Sequence, residues 1–463
     1  MKVLRIKGVI FLRKISLLLS LLFIFLLPVT TSAAPLSEIK AYVEDYYVGN
    51  INGDLQQATT VEQVIDMLDP YSTYYTADQF KQFMNSINMT SVGIGIVIEQ
   101  HEKGILIQDV IENGSAFTEG VETGDIITHI NGNSTVGLST SDASSRILGK
   151  ENTTVTLTFL KSNGQSVTKT ITRKPFSLPN VTSELLYGNV GYISLASFSS
   201  DAVSRIKEAI RDLTNKGAKS FILDLQNNGG GYVSAAEEVV GLFPNAKGAY
   251  MYEDALGKYV VHAKRQSVQF PTNTRVLING YSASASEMTA AALVDQKAAI
   301  LYGEKTYGKG TMQSFYELSD GSYLKLTMAK FAGPVATAIN EVGVSPHIET
   351  TDNALYKAHY DSIVGQYPQY KELSSLRNVP TTKTFTLNFN STVGIVPDGA
   401  IELVQLGENG VDITIEKQGS TLLVTPTQPL VSGEQYMLII HPTIKGVANN
   451  VLKKGSYLYI TVK

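Results

Sequence analysis

The chain has 463 residues, which is too long for one ordinary domain, so we expect several domains. Its formal net charge is −4, and this balance argues against nucleic acid as the main partner because no basic face dominates. The absence of cysteine excludes disulfides, a cysteine nucleophile and thiolate metal sites. The six histidines are scattered and form no HExxH pair, so the sequence predicts neither a metal site nor a cofactor.

Residues 1–33 have the pattern of a secretory signal peptide. A basic start precedes the apolar run Ile15–Val29, which is too short for a comfortable membrane span. Small residues follow, and the position after Ala33 is the best cleavage point. We therefore expect an exported protein that is extracellular or lies at the cell surface or cell envelope. An uncleaved membrane anchor is the alternative.

Residues 34–87 have apolar positions at helical spacing, which predicts a helical N-terminal segment. Residues 88–175 change to short alternating strands with turn signals at Lys103-Gly104 and Asn131-Gly132. One helix is expected among these strands, near Ser141–Leu148. The pattern predicts a small β-rich module.

Residues 176–350 alternate strands with helices, which predicts a layered α/β domain with its site at loops after the carboxyl ends of strands. Residues 351–378 have the pattern of a helical connector. Residues 379–463 alternate apolar and polar positions between recurring turn signals, which is typical of an all-β sandwich. The predicted fold class is therefore multidomain, with an α/β core and β-rich modules.

The stretch NGYSASASEMTAAAL (residues 279–293) follows the apolar run RVLI and opens a predicted helix. Ser284 and Glu287 fit the S-x-x-E pattern of a capping box, which gives Ser284 a structural explanation. The alternative is that one serine of this stretch is a nucleophile, which requires a base to remove its proton. Ser282 and Ser286 are expected to be structural.

The segment YGKGTMQ places Lys309 between two glycines and Gln313 four residues later. Taken alone, Lys309 is most simply a solvated lysine and Gln313 an ordinary strand residue. As a general base, Lys309 must lose its proton near neutral pH, although a free lysine has a pKa of about 10.4. The catalytic interpretation therefore predicts a buried Lys309 with no carboxylate partner, since burial disfavours the charged form.

An acyl-transfer reaction also requires backbone N–H donors for the oxyanion. The residue after the nucleophile supplies one such donor at the start of a helix. The loop NNGGG (residues 227–231), between a predicted strand and a predicted helix, offers uncovered amides as well. A flexible turn is the simpler explanation of that loop.

These segments together resemble the C-terminal processing peptidases, also called tail-specific proteases, over residues 36–350. The matching motifs, in chain order, are LDPYSTYY, SVGIGIVI, GSAFTEGVETGDIITHINGNS, GYISLASFS, FILDLQNNGGG, NGYSASASEMTAAALVDQ, GEKTYGKGTMQSFYELSDGSYLKLTMAKF and VGVSPHI. The resemblance implies an α/β (ClpP/crotonase-like) peptidase core with an inserted PDZ domain. It also implies a serine endopeptidase that cuts near the C-termini of exported proteins.

The same resemblance assigns the site residues. It implies that Ser284 is the nucleophile, Lys309 the general base and Gln313 an assisting residue, with oxyanion amides on Ala285 and Gly230. The implied partners are protein or peptide substrates with exposed C-termini. Homodimers occur among related peptidases, so a dimer contact through the helical N-terminal segment stays open.

The PDZ interpretation predicts that a captured peptide adds as a strand beside Ile94–Val97, with its terminal carboxylate on the preceding loop. The helix near Ser141–Leu148 would form the other wall of the groove. The residues assigned to peptide binding are Val92, Gly93, Ile94, Gly95 and Ile96. A packed strand start is the alternative explanation of this loop.

Some positions depart from the pattern of the family. Gln226 stands where arginine is usual, His347 replaces an aspartate, and Leu148 takes the place of an arginine common in the PDZ domain. These changes leave open a catalytically impaired surface protein that only binds peptides. Residues 379–463 resemble bacterial Ig-like domains, which implies a cell-wall or surface spacer, or a platform for substrates.

Overall fold

The computed structural model describes residues 36–254, 257–335, 337–350 and 352–463. The predicted signal peptide, residues 1–33, lies outside the described residues. Within the part of the chain that is described, no helix has both the length and the apolar character needed to span a membrane.

The N-terminal segment consists of short helices and one strand packed on the body of the α/β domain. Its elements are α1 (Leu36–Tyr46), a 3₁₀ turn (Leu55–Gln57), α2 (Val61–Asp66), β1 (Thr73–Tyr75) and α3 (Ala77–Ile87). Thr60 and Thr76 begin α2 and α3 with capping boxes that satisfy the first backbone amides. The apolar side chains of α1 and α2 pack against Leu324 and Leu326, so this segment shares a core with the α/β domain.

The β-rich module contains a five-stranded antiparallel path, β3-β4-β5-β7-β8, with the short β6 paired to β5. Its elements are β2 (Thr90–Gly93), β3 (Ile96–His101), β4 (Gly104–Val110), α4 (Ser115–Thr118), β5 (Ile126–Ile130), β6 (Asn133–Ser134), α5 (Thr140–Ile147), β7 (Thr154–Leu160), β8 (Ser166–Thr172) and β9 (Lys174–Ser177). Strands β2 and β9 pair with each other and form the two-stranded stem by which the module is inserted. Among the described residues, β3 pairs with β4 and with no other strand, so one of its edges is unpaired.

The α/β domain has a six-stranded central sheet in the order β10-β11-β12-β15-β16-β19 and a second sheet in the order β1-β18-β13-β14, with β17 paired to β18. Its elements are β10 (Val181–Leu186), β11 (Val190–Leu195), α6 (Ala202–Asn215), β12 (Ser220–Asp224), α7 (Val233–Val240), β13 (Gly248–Asp254), β14 (Gly257–His262), β15 (Arg275–Ile278), α8 (Ala285–Asp295), β16 (Ile300–Gly303), β17 (Thr311–Glu317), β18 (Tyr323–Ala332) and β19 (Ile348–Glu349).

Strands β12 and β15 are parallel neighbours, so the NNGGG loop and the serine stretch leave the central sheet at the same edge. Two side-chain contacts join these loops directly. The Asn279 Nδ2 donates to Asn227 Oδ1 at 3.0 Å, and the backbone N–H of Asn227 donates to Asn279 Oδ1 at 3.0 Å. The layered architecture therefore brings two of the predicted site segments together.

The C-terminal region is a two-sheet β domain. Its elements are α9 (Ala354–Val364), β20 (Lys371–Glu372), β21 (Leu376–Val379), β22 (Phe385–Asn388), β23 (Val393–Ile395), β24 (Ile401–Gln405), β25 (Gly410–Val411), β26 (Ile413–Gln418), β27 (Thr421–Pro426), β28 (Gln435–Ile440), β29 (Lys445–Gly446) and β30 (Ser456–Val462). The larger sheet runs β20-β30-β28-β24-β25 with β21 also on β30, the smaller runs β22-β27-β26, and β23 pairs with β29. Apolar side chains of the two main sheets form one core.

The prediction of a helical connector over residues 351–378 is wrong in its second half. Helix α9 ends at Val364, where Gly365 is the C-cap, and Pro368 lies beyond it. The following chain pairs in parallel with β30, through β20 and then β21. The helical spacing of this stretch was misleading because its apolar side chains are used by a sheet.

Helix α9 packs on two partners. Ala354, Leu355 and Ala358 belong to a core cluster with the central sheet, whereas Ile363 packs with Val404 and other residues of the C-terminal sheet. Between them, His359 is fully buried: its Nε2 donates to the carbonyl of Tyr187 at 2.9 Å, and its Nδ1 accepts the N–H of Gly407 at 2.9 Å. The C-terminal domain is therefore docked on the α/β domain.

Candidate active site

Ser284 sits at the point where the loop after β15 becomes α8, and its backbone is strained. Its φ is 57° and its ψ is −111°, values that a residue with a Cβ rarely adopts. Such conformations persist only when the surroundings enforce them, and they cluster at functional sites. A Cβ on the neighbouring Gly230 would lie 2.9 Å from Ser284 Cβ and 3.0 Å from Ala285 N, so only glycine fits beside the serine.

A buried carboxylate connects the serine loop with the lysine loop. Glu287 is fully buried, and its Oε2 accepts the N–H of Ser284 at 2.9 Å and the N–H of Lys309 at 2.8 Å. Its Oε1 accepts the Thr306 hydroxyl and the N–H of Gly308, both at 2.6 Å. Four donors from two loops thus compensate the buried charge, and the shared carboxylate fixes the positions of the two loops relative to each other.

Lys309 lies partly buried under the ring of Tyr71, with its Nζ 4.8 Å from the ring centroid. Burial, followed by the positive charge of Lys325, lowers the pKa of Lys309 to about 8, while Asp69 and Glu287 act in the opposite direction. The salt bridges among the described residues include none to Lys309. The burial predicted for Lys309 is partial in the structure.

Gln313 lies near the start of β17, four residues after Lys309. Its Nε2 donates to the hydroxyls of Thr311 at 3.0 Å and Thr327 at 3.1 Å. The side chains of Ser284, Lys309 and Gln313 are not joined to one another by any hydrogen bond of the described residues. The structure therefore joins the serine loop and the lysine loop through Glu287, and the Gln313 side chain is held separately by Thr311 and Thr327.

The two amides assigned to the oxyanion differ in their surroundings. Ala285 is the first residue of α8, at the positive end of the helix dipole. The N–H of Gly230 donates to Asn228 Oδ1 at 2.9 Å, and Asn228 is held in turn by a bond from its Nδ2 to the carbonyl of Leu195 at 2.9 Å. Gly230 is thus adjacent to the serine, with its donor engaged by an asparagine.

The other two serines of the stretch are structural in their contacts. Ser282 Oγ donates to the carbonyl of Leu225 at 2.8 Å, and Ser286 Oγ donates to the carbonyl of Asn228 at 2.7 Å. Both side chains are fully buried. They fasten the serine loop to Leu225, just after β12, and to the NNGGG loop.

The residues that depart from the family pattern have ordinary structural partners. The N–H of Gln226 donates to Asp224 Oδ1 at 2.8 Å, and His347 Nδ1 accepts the N–H of Leu301 at 3.0 Å. Burial lowers the pKa of His347, which favours this neutral acceptor form. Within the ranges that the structure describes, no three histidine or acidic side chains are arranged to hold a metal ion.

The predicted peptide-binding residues are divided between the stem and the groove. Val92 and Gly93 lie in β2 and pair with Pro175 and Lys174 of β9. Ile94 is buried in the core of the module, and only Gly95 and Ile96 reach the start of the unpaired β3 edge.

The sequence did not indicate that the Tyr71 ring lies over Lys309. It indicated Glu287 only as part of a helix capping box. The motif LDPYSTYY was the available signal for Tyr71, but its distance of 238 positions from Lys309 conceals the contact. The partners of Glu287 at residues 306–309 are likewise remote in the chain.

Residues 189–350 match peptidase family S41, and residues 82–160 match the PDZ domain. The chain is 33% identical over 314 residues to the carboxy-terminal processing protease CtpA of Bacillus subtilis (strain 168), an alignment that covers 67% of each protein. The chain belongs to peptidase family S41.

Further relatives of this S41 peptidase include a probable CtpA-like serine protease of Staphylococcus aureus (strain N315), 29% identical over 379 residues, with 81% of this chain and 71% of the relative covered. A solved structure of a photosystem II D1 C-terminal processing protease is 25% identical, covers 71% of this chain and 95% of its own, and has a TM-score of 0.45. The S41 chain is a serine-type, carboxy-terminal processing peptidase with a PDZ domain, and peptides or proteins are its substrates.

Proposed function

We propose that this S41 peptidase cleaves exported proteins near their C-termini, with Ser284 as nucleophile, Lys309 as general base and Gln313 as the residue that orients them. One observation carries the proposal. A buried carboxylate, Glu287, accepts the backbone N–H groups of both Ser284 and Lys309, so a strained serine and a lysine with a lowered pKa are fixed in one site.

In the proposed reaction, the neutral amine of Lys309 removes the hydroxyl proton of Ser284 while Oγ attacks the substrate carbonyl carbon. The resulting ammonium gives its proton to the leaving amine, and an acyl-enzyme remains. Lys309 then activates a water molecule, which releases the new C-terminus. Because the pKa of Lys309 is about 8, we expect kcat/KM to rise with pH through this value as the neutral amine becomes available.

The oxyanion of the intermediate is proposed to bind the N–H groups of Ala285 and Gly230. The Gly230 N–H is shared with Asn228 Oδ1 in the free protein. A bound carbonyl oxygen would therefore compete with Asn228, and binding of substrate would redirect this donor.

Substrate capture is proposed to occur at the unpaired edge of β3, with α5 as the opposite wall. An extended peptide would add antiparallel to β3, and its carboxylate would meet the loop at Gly95 and Ile96. Val92 and Gly93 are proposed to act through the stem, because they pair with β9 and hold that loop in place.

Two further proposals concern the N-terminal and C-terminal regions of the chain. We propose that residues 1–33 direct export, on the strength of their basic and apolar pattern. We propose that residues 379–463 form an Ig-like domain, supported by two sheets around one apolar core. N-terminal sequencing of secreted protein would test the first, with a start at Ala34 expected.

The central test compares Ser284→Ala and Lys309→Ala with Lys305→Ala, which removes an exposed lysine four residues away. Hydrolysis of an unstructured polypeptide with an apolar C-terminus is measured, and circular dichroism checks folding. We expect each catalytic variant to lose at least about a thousandfold in kcat, with Lys305→Ala unchanged. Cleavage that persists in both folded catalytic variants would contradict the assignment.

A further inference from the structure

A loop of the N-terminal segment contacts the proposed base. The centroid of the Tyr71 ring, in the loop before β1, lies 4.8 Å from Lys309 Nζ, and both side chains are partly buried. The face of an aromatic ring attracts an ammonium group, and a ring at this distance also limits where the flexible lysine side chain can lie. The charged end of Lys309 therefore meets a residue that precedes the PDZ module in the chain.

The next residue of the same loop is linked to the other side of the proposed site. Ser72 is buried, and its Oγ accepts the N–H of Thr327, on β18, at 3.1 Å. The hydroxyl of Thr327 accepts in turn from Gln313 Nε2 at 3.1 Å. The carbonyl of Thr327 accepts the N–H of Val48 at 3.2 Å, so both backbone groups of this threonine bond to the N-terminal segment. Two consecutive loop residues are thus linked to two proposed catalytic side chains.

The loop that carries these residues is itself held firmly. Asp69 Oδ1 accepts the N–H groups of Tyr71 at 2.8 Å and Ser72 at 2.9 Å. The N–H of Asp69 donates to the hydroxyl of Tyr47, just after α1, at 2.8 Å. Leu68 lies in the apolar core that this segment shares with β18. A loop fixed by such contacts can hold a ring in one position over the lysine.

Packing alone is the other explanation of the tyrosines in this part of the chain. It accounts for Tyr74, which packs against the apolar core of the segment. It does not account for Tyr71, whose ring faces an ammonium group. The loop also precedes the residues that match peptidase family S41, so the matched region by itself would lack this ring.

We propose that Tyr71 is a positioning residue of this peptidase, whose ring holds the amine of Lys309 where proton removal from Ser284 requires it. The segment before the PDZ module then completes the active site. This role rests on the proposed roles of Ser284 and Lys309. Without the ring, the amine would sample positions from which it cannot accept the proton, so the loss should appear in the chemical step and not in substrate affinity.

The test compares Tyr71→Leu, which removes the ring, with Tyr71→Phe, which keeps it. Tyr74→Leu is the matched control, because it removes a partly buried ring from the same segment. Two rates are measured: hydrolysis of an unstructured polypeptide with an apolar C-terminus, and labelling of Ser284 by a fluorophosphonate, which requires the base but no bound peptide. We expect Tyr71→Leu to lose about a hundredfold in kcat and in labelling rate, with KM within about twofold. Tyr71→Phe and Tyr74→Leu should keep both rates within about threefold.

Unchanged rates in folded Tyr71→Leu, an equal loss in Tyr74→Leu, or a loss in Tyr71→Phe as large as in Tyr71→Leu would overturn the role of the ring. An effect confined to KM would overturn it as well. Should Tyr71→Leu fail to fold, Tyr71→Met fills the space with a flexible side chain and gives the same readout. A Ser284→Ala arm separates the two levels. Cleavage or labelling that persists there refutes the proposed function, whereas Ser284-dependent rates that are unchanged in Tyr71→Leu refute only the role of Tyr71.

Discussion

At the scale of single residues, sequence motifs identified the candidate catalytic groups but not what holds them. Ser284, Lys309 and Gln313 could be proposed because their spacing resembles a known family. The role of Glu287 could not, since three of its four donors lie 19, 21 and 22 residues away. Tyr71, whose ring lies over the Lys309 ammonium, is still more remote in the chain.

The exchange Glu287→Gln is expected to damage the site without changing its volume. An amide side chain keeps one acceptor oxygen and turns an NH₂ group toward backbone donors, so at least one pair of buried donors faces another donor. We expect kcat to fall by about a hundredfold, because the two loops lose their register, and stability to fall by about 3 kcal/mol.

Urea denaturation and peptide hydrolysis would measure both effects. Glu304→Gln is the control, since Glu304 is exposed and adjacent to the same loop. Wild-type turnover by Glu287→Gln would show that the backbone register does not depend on this carboxylate.

At the scale of elements, the PDZ module shows a substitution that the sequence alone could not interpret. Leu148 stands where the family pattern has an arginine. In this structure a different arginine, Arg173 between β8 and β9, lies close to that position. The guanidinium of buried Arg173 donates to the carbonyls of Ile147 and Arg146 at the end of α5, at 2.7 and 2.9 Å. It also donates to the carbonyl of Thr154 at 2.7 Å, which ties the helix to β7.

Replacing Arg173 by methionine should loosen α5, because the carbonyls at the end of the helix lose their donors while they remain buried. We expect a loss of about 2–4 kcal/mol in the stability of the module and weaker binding of a labelled peptide in a Ser284→Ala background. Fluorescence anisotropy and thermal unfolding measure the two quantities. The neighbouring exposed cation provides the control, Lys174→Met; equal effects of both variants would refute a special role for Arg173.

The region around α9, which packs against both the central sheet and the C-terminal sheet, was predicted least well. The stretch after α9 was predicted as helix because its tyrosines and leucines recur every three residues, at 367, 370, 373 and 376. Pairing with β30 outweighs that periodicity, and only the folded sheet reveals it. The strands of residues 88–175 were predicted more successfully, since tight turns with Gly104 and Gly132 separate them.

At the scale of the whole molecule, the C-terminal domain is joined to the peptidase by a buried interface. The alternation of apolar and polar residues predicted a sandwich but did not indicate where this domain packs on the peptidase. The packing depends on side chains of α9, and the sequence pattern of α9 is that of an ordinary helix. Tyr187 of the peptidase domain contributes to this interface three times: its carbonyl accepts from His359, its hydroxyl donates to Glu402, and its N–H donates to the carbonyl of Glu408 at 3.0 Å.

The interface predicts sensitivity to acid. Burial lowers the pKa of His359 to about 4, below its value of about 6.5 in an unfolded chain. Between these values the unfolded state binds more protons, so stability is lost as pH falls from 6.5 toward 4, by as much as about 3 kcal/mol. His359→Gln can keep one donor and one acceptor and should flatten this dependence in urea titrations. Exposed His129 supplies the control, His129→Gln; an unchanged slope in His359→Gln would assign the acid loss to other groups.

The double-sided packing of α9 bears on how this chain can be recombined with its relatives. A chimera joined at residue 379 would separate Ile363, Tyr356 and Tyr360 from the C-terminal sheet on which they pack. The exposed apolar side chains would then promote aggregation of the peptidase part. A junction placed directly before Asn353 would instead transfer α9 together with the C-terminal sheet on which it packs. Transplants of the β domain should therefore succeed as the unit 353–463, provided that the recipient sheet offers a complementary apolar face for Ala354, Leu355 and Ala358.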